Sequence, residues 1–245
     1  MKRFWIVPWL LLTTAAQAGD PSALWKIIDG KCVPHMREAN DPSPCAVVDL
    51  KTGYVVLKDL VGVAQYLLMP AARIGGMESP EILMPNAPNY WDLAWRARLL
   101  TEARLGKALP RESLALTVNS PYGRTQDQLH IHIDCVRSDV RDALAAHRDA
   151  IEREWTAFPV QLVGQTWRSF RVDGENLGSV DPFHLLAAGD AGAAADMGKH
   201  TLAVVGMRWS DGVAGFAVLD GKADPLTFNR GSAEVLQDHD CQIAR

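Results

Sequence analysis

The segment Gln128-Leu-His-Ile-His-Ile-Asp134 alternates polar and apolar residues without a break. A period of two fits a β-strand and not a helix. It sets Gln128, His130, His132 and Asp134 on one face and Leu129, Ile131 and Ile133 on the other. The apolar face must pack on a core. Four hydrogen-bonding side chains on the opposite face are unfavourable unless they are solvated or form a site. Any fold for this chain therefore contains a sheet with one strand that presents two imidazoles in register.

Neighbouring segments supply the rest of such a sheet. Leu114–Val118 is apolar, and the turn Asn119–Arg124 joins it to the histidine strand, so the two read as an antiparallel pair. Residues 54–59 and 65–69 read as a hairpin about Gly62, and Pro70 ends its second strand. Residues 22–31 suit a short helix, and the stretch from Gly75 to Pro88 a loop. From Asn89, Trp91, Ala94, Trp95, Leu99 and Leu100 follow helical spacing to about Leu105, where Gly106 can cap. A further helix is expected from Val140 to about Trp155, capped by Ser138 or Asp139. Strands are expected at 169–172, 183–187, 201–205 and 215–219, with a loop from Gly189 to Gly198. The whole reads as an α+β chain, an antiparallel sheet with flanking helices. The pattern recurs loosely on either side of residue 155, as a degenerate duplication would.

With 245 residues, 48% of them hydrophobic and 22% charged, the chain can bury a full core without a metal. Its net charge of −4 argues against a nucleic-acid binder. The N-terminus carries an address. Met1-Lys-Arg3 precedes the apolar run Phe4–Thr13, and Ala16-Gln-Ala18 offers a small-x-small cleavage site. A helix from Phe4 to Ala18 would rise only about 22 Å, short of a hydrocarbon core of about 30 Å. Length thus favours a cleaved signal, while Trp5 and Trp9 would suit an interfacial anchor. Residues 1–18 are expected to direct export, and 22–245 to form the working unit. Four cysteines in an exported chain read as two disulfides, with three connectivities open. Cys32–Cys45 would close a short proline-rich loop, leaving Cys135–Cys241 to tie the C-terminus to the histidine strand.

Three chemistries suit the polar face. His132-Ile-Asp134 has the local spacing of an iron facial triad, the mark of a metal-dependent oxygenase, which would need a distant third ligand such as His184, His200 or His239. An imidazole can instead attack phosphorus. The face could also hold a nucleotide or phosphate without catalysis. The preceding Asn119-Ser-Pro-Tyr-Gly-Arg-Thr-Gln126 brings an arginine, a hydroxyl and amides, donors suited to phosphate oxygens. They favour phosphoryl transfer.

Asn119, Gln126, His130 and His132 resemble the histidine-triad superfamily, including its hexose-phosphate uridylyltransferase branch. Tyr54-Val-Val-Leu-Lys-Asp-Leu60, Gln65-Tyr-Leu-Leu-Met-Pro70, Gly123-Arg-Thr-Gln126, His130-Ile-His132 and Asp238-His-Asp-Cys-Gln-Ile243 more specifically resemble the bacterial CDP-diacylglycerol pyrophosphatase family. That resemblance implies a cofactor-free hydrolysis of CDP-diacylglycerol, or a related nucleotide diphosphate, to CMP and phosphatidate. It places the reaction at the periplasmic face of the inner membrane, with the membrane surface as partner. The triad register makes His132 the nucleophile and His130 its orienting neighbour. Asn119, Arg124, Thr125, Gln126, Gln128 and Asp134 would bind phosphate. A register shifted by two residues would make Gln128 the first member and His130 the nucleophile. The apolar approach for the lipid is expected at Trp91, Trp95 and the Met77–Pro88 loop.

Overall fold

The computed structural model describes residues 19–189 and 192–245; the expected export segment lies outside them. In chain order the elements begin with α1 (Ala23–Ile27), a π turn over Ile28–Cys32 and α2 (Val33–Ala39). Strands β1 (Val47–Asp49), β2 (Tyr54–Lys58) and β3 (Tyr66–Pro70) precede α3 (Tyr90–Leu105). Then come β4 (Leu114–Val118), β5 (Ile131–Cys135), α4 (Ser138–Ala146), β6 (Thr156–Ala157) and β7 (Arg168–Asp173). The chain closes with α5 (Pro182–Gly189), α6 (Ala193–Asp196), β8 (His200–Arg208), β9 (Ala214–Lys222) and short 3-10 turns.

The nine strands form one antiparallel sheet in the order β1-β2-β3-β5-β4-β8-β9-β7-β6. The β2–β3 hairpin and the β4–β5 pair form as expected. The sheet runs without interruption across residue 155, with β4 bonded to β8. The α+β class therefore holds.

One face of the sheet is a continuous apolar core. Leu68, Ile131, Ile133, Leu116, Val204 and Val218 lie under Trp91 and Trp95 of α3 and Phe183 of α5. Asn89 caps α3 by accepting from the Asp92 N–H, and Gly106 ends it in the left-handed region. The other face carries two separate covers. The α1–α2 segment packs on Val55, Leu67 and Met69 at one end. Helix α4 and the C-terminal tail pack on Ala115, Ala203 and Leu219 at the other. Between these covers the floor is His132 of β5 and His130 just before it rather than aliphatic groups; the strand begins at Ile131, later than the expected start at Leu129. The alternation of a single strand thus puts Ile131 and Ile133 into the core and leaves the imidazoles facing a gap.

Both disulfides form with the expected partners, Cys32–Cys45 and Cys135–Cys241. Several local expectations fail. Residues 183–187 belong to helix α5, not to a strand. Pro182 sits in its first turn, Asp181 accepts from the Phe183 N–H, and Phe183 and Leu186 share the buried side. Helix α4 ends at Ala146 rather than near Trp155, and neither Ser138 nor Asp139 caps it with a side chain; Asp139 pairs with Arg137 instead. The first helical segment runs on to Ala39 through its π turn, which carries Cys32. The 189–198 stretch includes the short helix α6.

Candidate active site

The gap between the two covers is a cleft of about 610 Å³ whose lining includes His130, His132, Asn119, Thr125 and Glu234. The two imidazoles lie edge to face, with ring centroids 4.8 Å apart. Their hydrogen bonds differ, and the difference fixes their chemistry. His130 Nδ1 is 2.6 Å from the Gln128 carbonyl oxygen. A carbonyl only accepts, so Nδ1 carries the proton and Nε2 keeps its lone pair. His132 Nδ1 is 2.7 Å from Gln65 Nε2. That amide also donates to Asp59 Oδ2 at 2.9 Å, which fixes its orientation, because a carboxylate can only accept. His132 Nδ1 must then be the acceptor and Nε2 the protonated nitrogen. That Nε2 is buried and without a protein partner.

Two residues of the C-terminal segment complete the arrangement. Glu234 Oε1 lies 3.3 Å from His132 Nδ1, and its Oε2 accepts from Asn119 Nδ2 at 2.9 Å. His239 Nδ1 sits 2.9 Å from Asp134 Oδ2, and its Nε2 lies 3.5 Å from Glu234 Oε1. Gln65 and Glu234 are not among the site residues expected from the sequence, and His239 is expected only as one of three possible metal ligands. They stand 67, 102 and 107 positions from His132 in sequence, and only the Cys135–Cys241 bridge hinted that the tail returns to the strand.

Among the expected phosphate ligands the structure separates cleft residues from supports. Asn119 and Thr125 line the cleft. Arg124 lines it too, but its two terminal nitrogens grip both Glu78 oxygens at 2.7 Å, so its charge is largely spent. Gln126 lines the cleft while its amide ties down α1, accepting from Leu24 N and donating to the Asp20 carbonyl. Gln128 donates to the Pro70 and Ala72 carbonyls and is a buried brace. Asp134 turns away from the cleft to His239 and the Cys135 N–H. Lys31 and Lys58, not among the expected site residues, also line the cleft, and Lys58 Nζ donates to the Asp59 and Gly62 carbonyls.

His132 and Asp134 therefore do not converge as an iron facial triad would. Among the described residues, the one group of three ligand-type side chains within 4.8 Å is Asp134, Cys135 and Cys241. Its two sulfurs are joined in a disulfide. Of the distant histidines, His184 is exposed on α5, and His200 binds Asp220 near the far end of β8. Only His239 reaches the site. Trp91 and Trp95 are fully buried in the core on the opposite face and offer no lipid approach. Leu24, Ile27, Leu57, Leu60, Val61 and Leu67 form the apolar wall of the cleft instead.

Burial holds the His132 imidazole well below its ordinary value of 6.5, and the neighbouring His130 and His239 add to the effect. Burial also lowers His130, partly opposed by its bond to the Gln128 carbonyl. The bond to Asp134 raises His239. Both floor imidazoles are thus neutral near pH 7, and the acid limb of kcat/KM should lie below pH 6.5. A pH–rate profile with its acid midpoint at or above 6.5 would contradict this. Stability carries the same sign for the floor pair. Between their lowered values and about 6.5 the unfolded chain binds protons that the folded chain does not, so acid destabilises in that window. His239 acts oppositely: its contribution is full below the unfolded value and fades as pH rises through its raised one.

Residues 19–245 match the family model described as CDH: CDP-diacylglycerol pyrophosphatase. A protein of Yersinia pestis named CDP-diacylglycerol pyrophosphatase is 43% identical over 224 residues, covering 91% of this chain and 85% of that relative. The chain belongs to the CDP-diacylglycerol pyrophosphatase family.

Proposed function

We propose that this chain hydrolyses CDP-diacylglycerol to CMP and phosphatidate by double displacement, with residues 22–245 as one working unit. The observation that carries the mechanism is the opposite tautomers of the two imidazoles on the cleft floor. A nucleophile needs a lone pair, and His130 Nε2 has one, whereas His132 Nε2 bears a proton. This favours the register shifted by two residues over the one that gives the attack to His132.

In the first step His130 Nε2 bonds to the phosphorus that bears cytidine. The bond from that phosphorus to the bridging oxygen breaks, and its electron pair leaves with phosphatidate, whose departing oxygen accepts a hydrogen bond from His132 Nε2–H. In the second step water attacks the phosphorus and loses a proton to solvent, the phosphorus–nitrogen bond breaks with its electron pair returning to His130 Nε2, and CMP leaves with His130 restored. Two displacements replace one difficult hydrolysis. The Gln128 carbonyl stabilises the charge on the phosphorylated imidazole through Nδ1–H. Thr125, Asn119, Lys31 and Lys58 supply donors and positive charge for the phosphate oxygens. Gln65 holds the His132 ring in place by donating to Nδ1, and Glu234 orients Asn119.

A cleft of this size suits a nucleotide diphosphate but not two long acyl chains as well. The apolar wall from Leu24 to Leu67 receives the glycerol end while the chains stay in a bilayer. Export of the chain through residues 1–18 agrees with two structural disulfides, which persist in oxidising compartments. The periplasmic face of the inner membrane is the corresponding location.

The test is intact-mass measurement after brief mixing with CDP-diacylglycerol, where one CMP adduct per chain is expected. Turnover should persist in EDTA, because no complete ligand set stands at the floor. Stoichiometric retention of unreacted lipid would indicate a binding protein instead, and loss of turnover on chelation with recovery on adding a divalent ion would defeat the covalent-histidine scheme.

A further inference from the structure

Three large apolar side chains stand out among the described residues for their exposure: Leu60 at 102%, and Leu226 and Phe228 at 91% each. They occupy two loops; one lines the histidine cleft, and the other ends against Gly123, a residue of the cleft lining. Leu60 is part of the cleft wall. Leu226 and Phe228 lie on the turn that leads into Gly231 and Glu234. Gly231 presses on Gly123, another cleft residue, where an added Cβ would stand 2.7 Å from the Gly231 carbonyl oxygen. Beside Phe228 is a hollow of about 440 Å³ lined by Tyr122, Lys199, Pro225 and Arg230 among others. Tyr122 is itself exposed. Folding does not account for two nearly naked apolar residues on one short turn, since they gain nothing from burial in the protein.

We infer that the turn Asp224–Arg230, with Tyr122 beside it, is a surface that docks on an anionic phospholipid bilayer. Charge supports this occupant. Lys199 and Lys222 share the single carboxylate of Asp196, at 3.0 and 3.7 Å. Arg230 uses its Nε on the Tyr122 carbonyl and pairs with no carboxylate. Three cations against Asp196 and Asp224 leave a local excess of one on a chain whose net charge is −4. Anionic headgroups suit such a patch better than a second copy of this acidic protein would. The point at which the chain after the apolar run Phe4–Thr13 enters the described residues supports it independently. That segment joins the described chain at Gly19–Asp20, and the Asp20 carbonyl is held by Gln126 at the cleft, four residues from Tyr122. A bilayer that took up the segment would face the same cleft mouth. The docking surface rests on the lipid-substrate reading for its purpose, but not for its existence.

The experiment is hydrogen–deuterium exchange of the full chain, with and without vesicles of phosphatidylethanolamine and phosphatidylglycerol that contain no nucleotide lipid. Amides 226–230 should slow several-fold with vesicles, while those of α5 on the opposite face stay unchanged. The double variant Leu226→Ser/Phe228→Ser should lose that protection. It should also lose about 10-fold or more in kcat/KM on vesicle-borne CDP-diacylglycerol, as expected when two buried apolar side chains are removed. Its turnover of a water-soluble short-chain analogue should match the parent. Unchanged exchange at 226–230, or equal protection in the double variant, would overturn the inference. Because the exchange arm needs no turnover, a chain that docks but does not hydrolyse would defeat only the functional proposal.

Discussion

Replacing His130 with asparagine should abolish turnover and the CMP adduct together, whereas His132→Asn should slow both and leave an adduct that can be mapped to His130. The expectation follows from which ring nitrogen is free. His130 spends Nδ1–H on the Gln128 carbonyl and keeps an Nε2 lone pair at the cleft. His132 accepts at Nδ1 from Gln65 and carries its proton on Nε2. Removing the nucleophile closes the covalent route, a loss of about 10⁵ or more on the scale seen for other enzymes. Removing the Nε2–H donor that stabilises the departing oxygen costs about 10² to 10³. His132 variants should therefore form the adduct slowly. The measurement is rapid-quench kinetics with peptide mapping of the adduct. A CMP group found on His132, or one persisting in the His130 variant, would return the attack to the register counted from Asn119. Gln65→Leu offers a second reading, because it frees His132 Nδ1. If the tautomer matters, kcat should fall in that variant with little change in KM.

What the sequence made legible was local. The two-residue period of Gln128–Asp134, the glycine turn between β2 and β3, and the Asn89 and Gly106 caps of α3 all act over a few residues, and all three elements formed. Residues 183–187 misled because a short apolar run satisfies either period; Pro182 and Asp181 decided for a helix. The site was half legible for the same reason. The imidazoles announced themselves, but Arg124, Gln126 and Gln128 were chosen by residue type. Type alone does not reveal that Glu78 already neutralises one and that backbone carbonyls occupy the amides of the other two. The His132 tautomer depends on Gln65 and Asp59, which reach it only because β3 pairs with β5. Tertiary pairing of this sort has no local signature.

The two disulfides should prove unequal, and in different kinetic terms. Cys135–Cys241 spans 106 positions, and Cys32–Cys45 spans 13. Loop-closure entropy assigns about 4.7 kcal/mol to a loop near 100 residues and about 3 to one near 15, as upper values. The paired variant Cys135→Ser/Cys241→Ser should therefore lose more in urea unfolding than Cys32→Ser/Cys45→Ser. The longer bridge also anchors the segment that brings Glu234 and His239 to the floor. Residues 233–237 are also held without it, by the buried Ala233 and Leu236 and by Gln237 on the Ala115 and His132 carbonyls, whereas His239 depends on the Asp134 contact, Asp238 N on the Cys135 carbonyl and Val63 N on the His239 carbonyl. Once the bridge is gone, His239 loses the covalent anchor two residues away that keeps it beside Asp134 and Glu234, and kcat should fall by about 10², on the scale of losing one charge-stabilising group. The short bridge acts elsewhere. It pins the α1–α2 cover, whose Leu24 and Ile27 wall the cleft, so its loss should raise KM and leave kcat nearly intact. Both comparisons are made at a temperature where circular dichroism shows each variant folded, so that lost activity is not simply unfolded protein. If the two paired variants show the same split between kcat and KM, the tail does not position the floor histidines. Glu234 and His239 would then be surface neighbours of a site that works without them.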